Sequence, residues 1–247
     1  MLCDVLTYNI HGLPWSKPMN QEICDFLERI RPSIVCLQEA FVPSVRLFYK
    51  HALERIGYRV FLPHDGEVSW LNSGLLIAVW DTEWQIESEC FCPYLDVHNV
   101  EWFSNKGFYL LRLRNKETRQ CLELINTHTQ SDTELPWIFG RKTSHNVRKK
   151  QATQLVDFVR RRIDSTMTLV IGDLNCETSP HADLCFLHPP SESSLPLKKA
   201  TFYSTGEDLD HVAYVKGTCA VVPRIARCRI YDVPYSDHAP VHYRVEL

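Results

Sequence analysis

No two of the ten cysteines stand in the CxxC spacing of a zinc site. Cys36 and Cys121 fall inside the apolar runs SIVCLQ and RQCLELI, where a reduced thiol behaves as a small hydrophobe. A Gly-rich phosphate loop is also missing. The longest apolar stretch, GLLIAVW, is far too short to span a bilayer. The opening MLCDVLTYNI goes straight into strand-like sequence, with no basic n-region and apolar h-region, so no signal peptide is expected. With the scattered thiols, this leads to the expectation of a reduced, intracellular protein, soluble or held peripherally at a membrane. Nor is there an excess of basic charge. A formal net charge of −3 argues against bulk, sequence-blind nucleic-acid binding, and leaves room for a local basic groove.

What is present is an ordinary globular composition, 45% apolar and 23% charged. Strand and helix patterns alternate at first. CDVLTYN is followed by a helical face of Ile23, Phe26, Leu27 and Ile30, stopped by Pro32. SIVCLQEAF reads as a buried strand. Val45, Phe48, Tyr49, Ala52, Leu53 and Ile56 then form a second helical face, ended at Gly57. YRVFLP, SGLLIAVW, EWQIESECF, GFYLLRLRN and QCLELINTH are strand candidates in series, a pattern of antiparallel hairpins. A third helix carries Ala152, Leu155, Val156, Val159 and Ile163 on one face. MTLVIGDLN, HVAYV and VHYRVEL are further strands, with a Ser/Pro-rich loop at residues 188–200. No stretch is long enough to divide two domains, so residues 1–247 read as one domain with helices packed outside two sheets.

The apolar strands end on polar groups. LTYN stops at Asn9, VCLQE at Glu39, LINTH at His128, and LVIGDLN at Asp173 and Asn175. Asp210 opens HVAYV, and PYSDHAP places Asp237 and His238 ahead of the last strand. Any one Asn or Asp at a strand end is ordinary turn chemistry. Their joint occurrence is not, because strands that discharge polar residues at one edge build a site there. Hard oxygen ligands with histidines suit Mg²⁺, which takes one or two carboxylates and leaves room for water and phosphate oxygens. The same set suits phosphoester hydrolysis, with a histidine as base and Asp210 or Asp237 to fix its tautomer.

In order and spacing, TYNIHGLP, LQE, INTHTQ, IGDLN, LDHV and SDHAPV resemble the motifs of the endonuclease/exonuclease/phosphatase superfamily, from residue 4 to residue 246. WFSNKGFYLLRLR followed by LINTHTQSD is most similar to the neutral and bacterial sphingomyelinases, and inositol-polyphosphate 5-phosphatases share a related Asn-Lys-Gly. The resemblance implies a DNase I-like α+β fold, a four-layer α/β/β/α sandwich of two mostly antiparallel sheets. It implies Glu39 as principal Mg²⁺ ligand with Asn9 beside it and Asp237 near the metal, Mn²⁺ or Co²⁺ being substitutes. His238 becomes the general base, oriented by Asp210. Asp173 and Asn175 position water and phosphate oxygens, and His128 and Lys106 stabilise charge on the phosphoryl group. His11 stands where the family varies and receives no role.

The implied activity is Mg²⁺-dependent phosphodiester hydrolysis, of a phospholipid headgroup in the sphingomyelinase manner. Nucleic acid and phosphorylated inositol are the alternatives. Trp102 and Phe103, with Trp137 and Phe139 in a loop after the site strand, would meet a membrane interface if exposed, or cap the core if buried. A monomer is expected.

Overall fold

The computed structural model describes residues 1–13, 19–64, 71–132, 136–162, 166–189, 200–219 and 221–247, and of residues 99–100 and 136–143 the backbone only. The N-terminal third alternates as its periodicity requires: β1 (Leu2–Asn9), α1 (Gln21–Ile30), β2 (Ile34–Gln38), α2 (Pro43–Arg55), β3 (Tyr58–Phe61) and β4 (Leu76–Trp80). The Asn20 side chain caps α1 by accepting from Glu22 N–H, and left-handed Arg31 closes it just ahead of Pro32. Next come β5 (Trp84–Pro93), a 3-10 helix (Asn99–Phe103), β6 (Gly107–Asn115), β7 (Cys121–His128), α3 (Pro136–Arg161) and β8 (Met167–Asp173). Then follow β9 (Leu184–Phe186), β10 (Asp210–Val215), β11 (Arg224–Ile230) and β12 (Val241–Glu246).

One six-stranded sheet has the order β11-β12-β1-β2-β4-β3, the other β5-β6-β7-β8-β10-β9. Neighbours pair antiparallel except β1 with β2 and β7 with β8. A parallel pair needs a crossover. α1 supplies it in the first sheet and α3 in the second. The two sheets therefore share one plan: an antiparallel pair, then the parallel pair, then an antiparallel return.

β1, β2 and β4 are buried almost throughout, because both faces of the sheet are covered. Val5, Ile34 and Ile77 turn inward against Leu111, Leu124 and Ile171 of the facing sheet. Leu6, Tyr8, Val35 and Leu37 turn outward against Phe26, Leu27, Tyr49 and Leu53 of α1 and α2. On the far side, Leu110, Ile125 and Val170 meet Ala152, Leu155, Val156 and Val159 of α3. The layers run helix, sheet, sheet, helix.

Two features depart from the sequence reading. The segment holding Trp137 and Phe139 is not a loop, since the backbone is helical from Pro136 onward. Proline suits a first helical turn, where its missing N–H has no partner to lose. The side chains of Trp137 and Phe139 lie outside the described residues, as do Ile163 and residues 190–199 of the Ser/Pro loop. In addition, β9 and β11 form edge strands that the sequence did not announce. Among the described residues no helix is long and apolar enough to cross a membrane.

Candidate active site

The parallel pairs end at the same edge of the sandwich, and β10 and β12 begin there. Register places His128 opposite Asp173 and Asp173 opposite Asp210. Paired residues on adjacent strands share a face, so these groups form a row across the second sheet. The first sheet answers with Asn9 and Glu39. Asn9 Nδ2 donates to Glu39 Oε1 at 3.0 Å and across the sandwich to Asp173 Oδ2 at 2.9 Å. Glu39 turns out of β2 with a left-handed φ of 63°. Gly12 packs so tightly there that a Cβ would lie 2.3 Å from Glu39 O.

A buried polar layer lies beneath. Gln38 Nε2 donates to Asn126 Oδ1 at 2.8 Å and to Thr7 Oγ1 at 3.1 Å. Asn126 Nδ2 donates back to the carbonyls of Leu37 and Leu76. These bonds tie one sheet to the other directly below the ionisable groups, and buried amides so satisfied add rigidity.

His238 Nδ1 lies 2.8 Å from Asp210 Oδ2. A carboxylate can only accept, so Nδ1 carries the proton and Nε2 is left facing Asp173 Oδ2 at 3.6 Å. Burial works against a charged imidazole here, but the Asp210 and Asp173 carboxylates outweigh it and raise the group to about 10. The Phe202 ring packs on His238, and Thr201 Oγ1 accepts from the N–H groups of Leu209 and Asp210.

His128 shows the opposite balance. Burial, then the charges of Lys106 and His238, hold it well below its ordinary value, so it is neutral. Its Nε2 lies 3.2 Å from Lys106 Nζ, 3.6 Å from Asp173 Oδ2 and 3.9 Å from Glu39 Oε1. The Lys106 side chain is 1% exposed and donates to Glu101 Oε1 at 2.6 Å and Thr129 O at 2.8 Å. Asn175 adopts φ 50°, donates its N–H to Asp173 Oδ1, and sends Nδ2 to Thr129 O.

At the mouth, Asp237 Oδ2 pairs with His11 Nδ1 at 2.6 Å. Burial pushes this carboxyl up, but the His11 bond and the His238 charge hold it below the usual range. Deeper in, burial pushes Glu39 and Asp173 up, against the Asn9 bond to each. Glu39 Oε2 is out of solvent with no hydrogen-bond partner. An orphaned carboxylate oxygen amid further carboxylates fits a hard divalent cation. Asp173, Asp210 and His238 also bring ligand atoms within 4.8 Å of one another. Within that trio His238 Nδ1 and Asp210 Oδ2 are bonded to each other, while Asp210 Oδ1 is buried without a hydrogen-bond partner.

Every expected site residue thus reaches this one edge. Asn9 presents its amide nitrogen to the carboxylates, its oxygen being taken by His11 N–H at 3.0 Å. The sequence reading missed Glu101, which also accepts from Ser131 N–H and Oγ, and the Gln38–Asn126 layer. It left His11 without a role.

Solved structures similar in fold align over essentially the whole chain. Sphingomyelinase C from Streptomyces griseocarneus aligns at TM-score 0.70 with 19% identity over 99% of both chains. Staphylococcus aureus beta toxin, in a variant with bound magnesium ions, aligns at 0.77 with 15% identity over 97% of this chain and 98% of that one. D. rerio TDP2 in complex with a single-strand DNA product aligns at 0.71 with 13% identity over 100% and 99%. The fold is DNase I-like. Identities this low carry the DNase I-like architecture and not the substrate. No protein-family model and none of the curated proteins matches the chain.

Proposed function

We propose that this DNase I-like chain is a Mg²⁺-dependent phosphodiesterase that hydrolyses a phospholipid headgroup in the sphingomyelinase manner, acting as a monomer. The observation that carries the reaction is the Asp210–His238 pair aimed at Asp173, beside a Glu39 oxygen with no protein partner. Glu39 would hold the cation, with Asn9 and Asp237 beside it; Mn²⁺ or Co²⁺ would be substitutes. A cation bound there would supply Lewis-acid polarisation of a phosphoryl oxygen and would offset the carboxylate charge that raises His238. His238 Nε2 takes the proton of the attacking water, while Asp210 holds the ring and stabilises the imidazolium that forms. Asp173 and Asn175 orient water and phosphate oxygens. Lys106 and His128 face the charge that builds on the phosphoryl group.

The lipid reading draws on the β5–β6 connection, which carries both Lys106 and an exposed apolar group. Leu95 is 86% exposed, Trp102 78% and Phe103 61%. Exposed large apolar residues on the connection that carries Lys106 suit an interaction surface, and Trp favours the membrane interface. Likeness to the Streptomyces sphingomyelinase C points the same way. Likeness to TDP2 with a DNA product keeps nucleic acid as the second reading.

The test uses sphingomyelin vesicles, single-stranded DNA and inositol polyphosphates, each with Mg²⁺ and with EDTA. Metal-dependent phosphocholine release is the expected result; cleavage of the DNA or inositol arm alone refutes the lipid assignment. Trp102→Ala should lower vesicle hydrolysis about tenfold, in line with losing about 1.4 kcal/mol of apolar burial. It should leave a soluble chromogenic phosphodiester unaffected.

A further inference from the structure

We infer that His11 is a positioning residue, whose imidazole locks the Asp237 carboxylate and so fixes the SDH loop over the site. The inference rests on the phosphodiesterase reading for its kinetics, but its geometry stands independently. His11 follows β1 on a turn with φ 49°, in the left-handed region that few side chains adopt. Two of its bonds pull on both halves of the site. The backbone N–H donates to Asn9 Oδ1 at 3.0 Å, which aims Asn9 Nδ2 at Glu39 and Asp173. The ring reaches Asp237 Oδ2 at 2.6 Å, with both side chains about a third exposed.

Asp237 lies one residue before His238, in a loop that must be held to the first sheet. Ser236 Oγ donates to Asn9 O at 2.7 Å and accepts from His238 N–H at 3.3 Å. His11 adds a second grip one residue further along. The Asn9–His11 turn and the Ser236–His238 loop are therefore joined by a pair of side-chain bonds that flank the proposed base. With its side chain about a third exposed, the imidazole sits against the SDH loop rather than in the core. Supporting residues of this kind commonly change activity by about 10–100-fold when removed.

The test compares three variants. His11→Asn places an amide N–H near the position of Nδ1–H and tolerates the left-handed backbone. His11→Gly keeps the backbone and deletes the side chain. His11→Ala deletes the side chain and strains the turn. With Mg²⁺ and bis(p-nitrophenyl) phosphate, His11→Gly should lower kcat by about 10–100-fold with KM within about threefold. His11→Asn should recover most of the loss, and His11→Gly combined with Asp237→Asn should be no slower than Asp237→Asn alone. Wild-type kcat in His11→Gly, or no rescue by Asn, overturns the proposal. A wild-type protein that hydrolyses no phosphodiester refutes the reaction instead. In that event positioning is read from the imidazole nitrogen resonances of His238. His11→Gly should move them and His11→Asn should not; unmoved resonances in His11→Gly overturn it.

Discussion

Asp210→Asn separates the electrostatic role of the carboxylate from its shape. Asp210 Oδ2 accepts the Nδ1–H of His238 at 2.8 Å, and Oδ1 is buried with no partner. Asparagine has two ways to fit. With its oxygen toward His238 the tautomer survives, but the amide nitrogen then occupies the partnerless position. Leaving that donor unsatisfied costs about 1–3 kcal/mol. With its nitrogen toward His238, Nδ1 must accept, Nε2 carries the proton, and the base cannot take one from water. Either way the imidazolium loses its counter-charge. Losses of this type run to about 10²–10⁴ in kcat, or about 3–5 kcal/mol of barrier. The pH profile supplies a second sign. Burial lowers His238, while Asp210 and Asp173 together raise it to about 10. Removing the Asp210 charge lets the group fall, so the rising limb of kcat/KM should move to lower pH as the plateau drops. Steady-state kinetics across pH at saturating Mg²⁺ measure both. A variant with kcat within about threefold of wild type and an unmoved limb would refute the relay.

The remaining predictions concern the metal-free protein. Burial raises the Glu39 carboxyl, so its ionised form opposes folding above the usual carboxylate range; Glu39→Gln should melt higher than wild type at neutral pH without metal, yet lose the stabilisation Mg²⁺ gives the wild type. A lower metal-free melting temperature, or an intact Mg²⁺ response, contradicts the anchor role. His238 is raised to about 10; its favourable contribution is complete below about 6.5, its unfolded value, and disappears as pH rises through about 10. The metal-free melting temperature should therefore fall over that window, and His238→Gln should flatten the fall; parallel curves would contradict it.

Much of this site could be read from strand ends. Asn9, Glu39, His128 and Asp173 each close an apolar run, and the parallel pairing of β1 with β2 and of β7 with β8 carries those ends to one edge. The hidden parts are hidden for specific reasons. β11, RIARCRI, should alternate with period two, but a bulge between Ile225 and Arg227 shifts the register and separates Ile225 from Cys228 by three. Pro136 and Gly140 look like turn residues around Trp137 and Phe139, whereas proline here opens α3. Glu101 sits on a five-residue 3-10 helix with no periodicity to announce it, and only folding brings it to Lys106. His11 and Asp237 lie near opposite ends of the chain, and pair because β12 returns beside β1.

The shared plan of the two sheets explains why the site carries so much unfavourable charge. Each parallel pair delivers one acid to the edge, a partly buried Glu39 from the first and a buried Asp173 from the second, and desolvation raises both. A looser core could relax by drawing them apart or admitting more solvent. Here the Gln38–Asn126 layer binds the sheets just below, with Asn126 anchored to two further carbonyls. The fold thus holds the carboxylates together against their own preference, and on the proposed reading that cost is returned as affinity when a cation binds. A rigid floor beneath a destabilised site also makes the source of affinity testable: weakening the floor should weaken metal binding without touching a ligand.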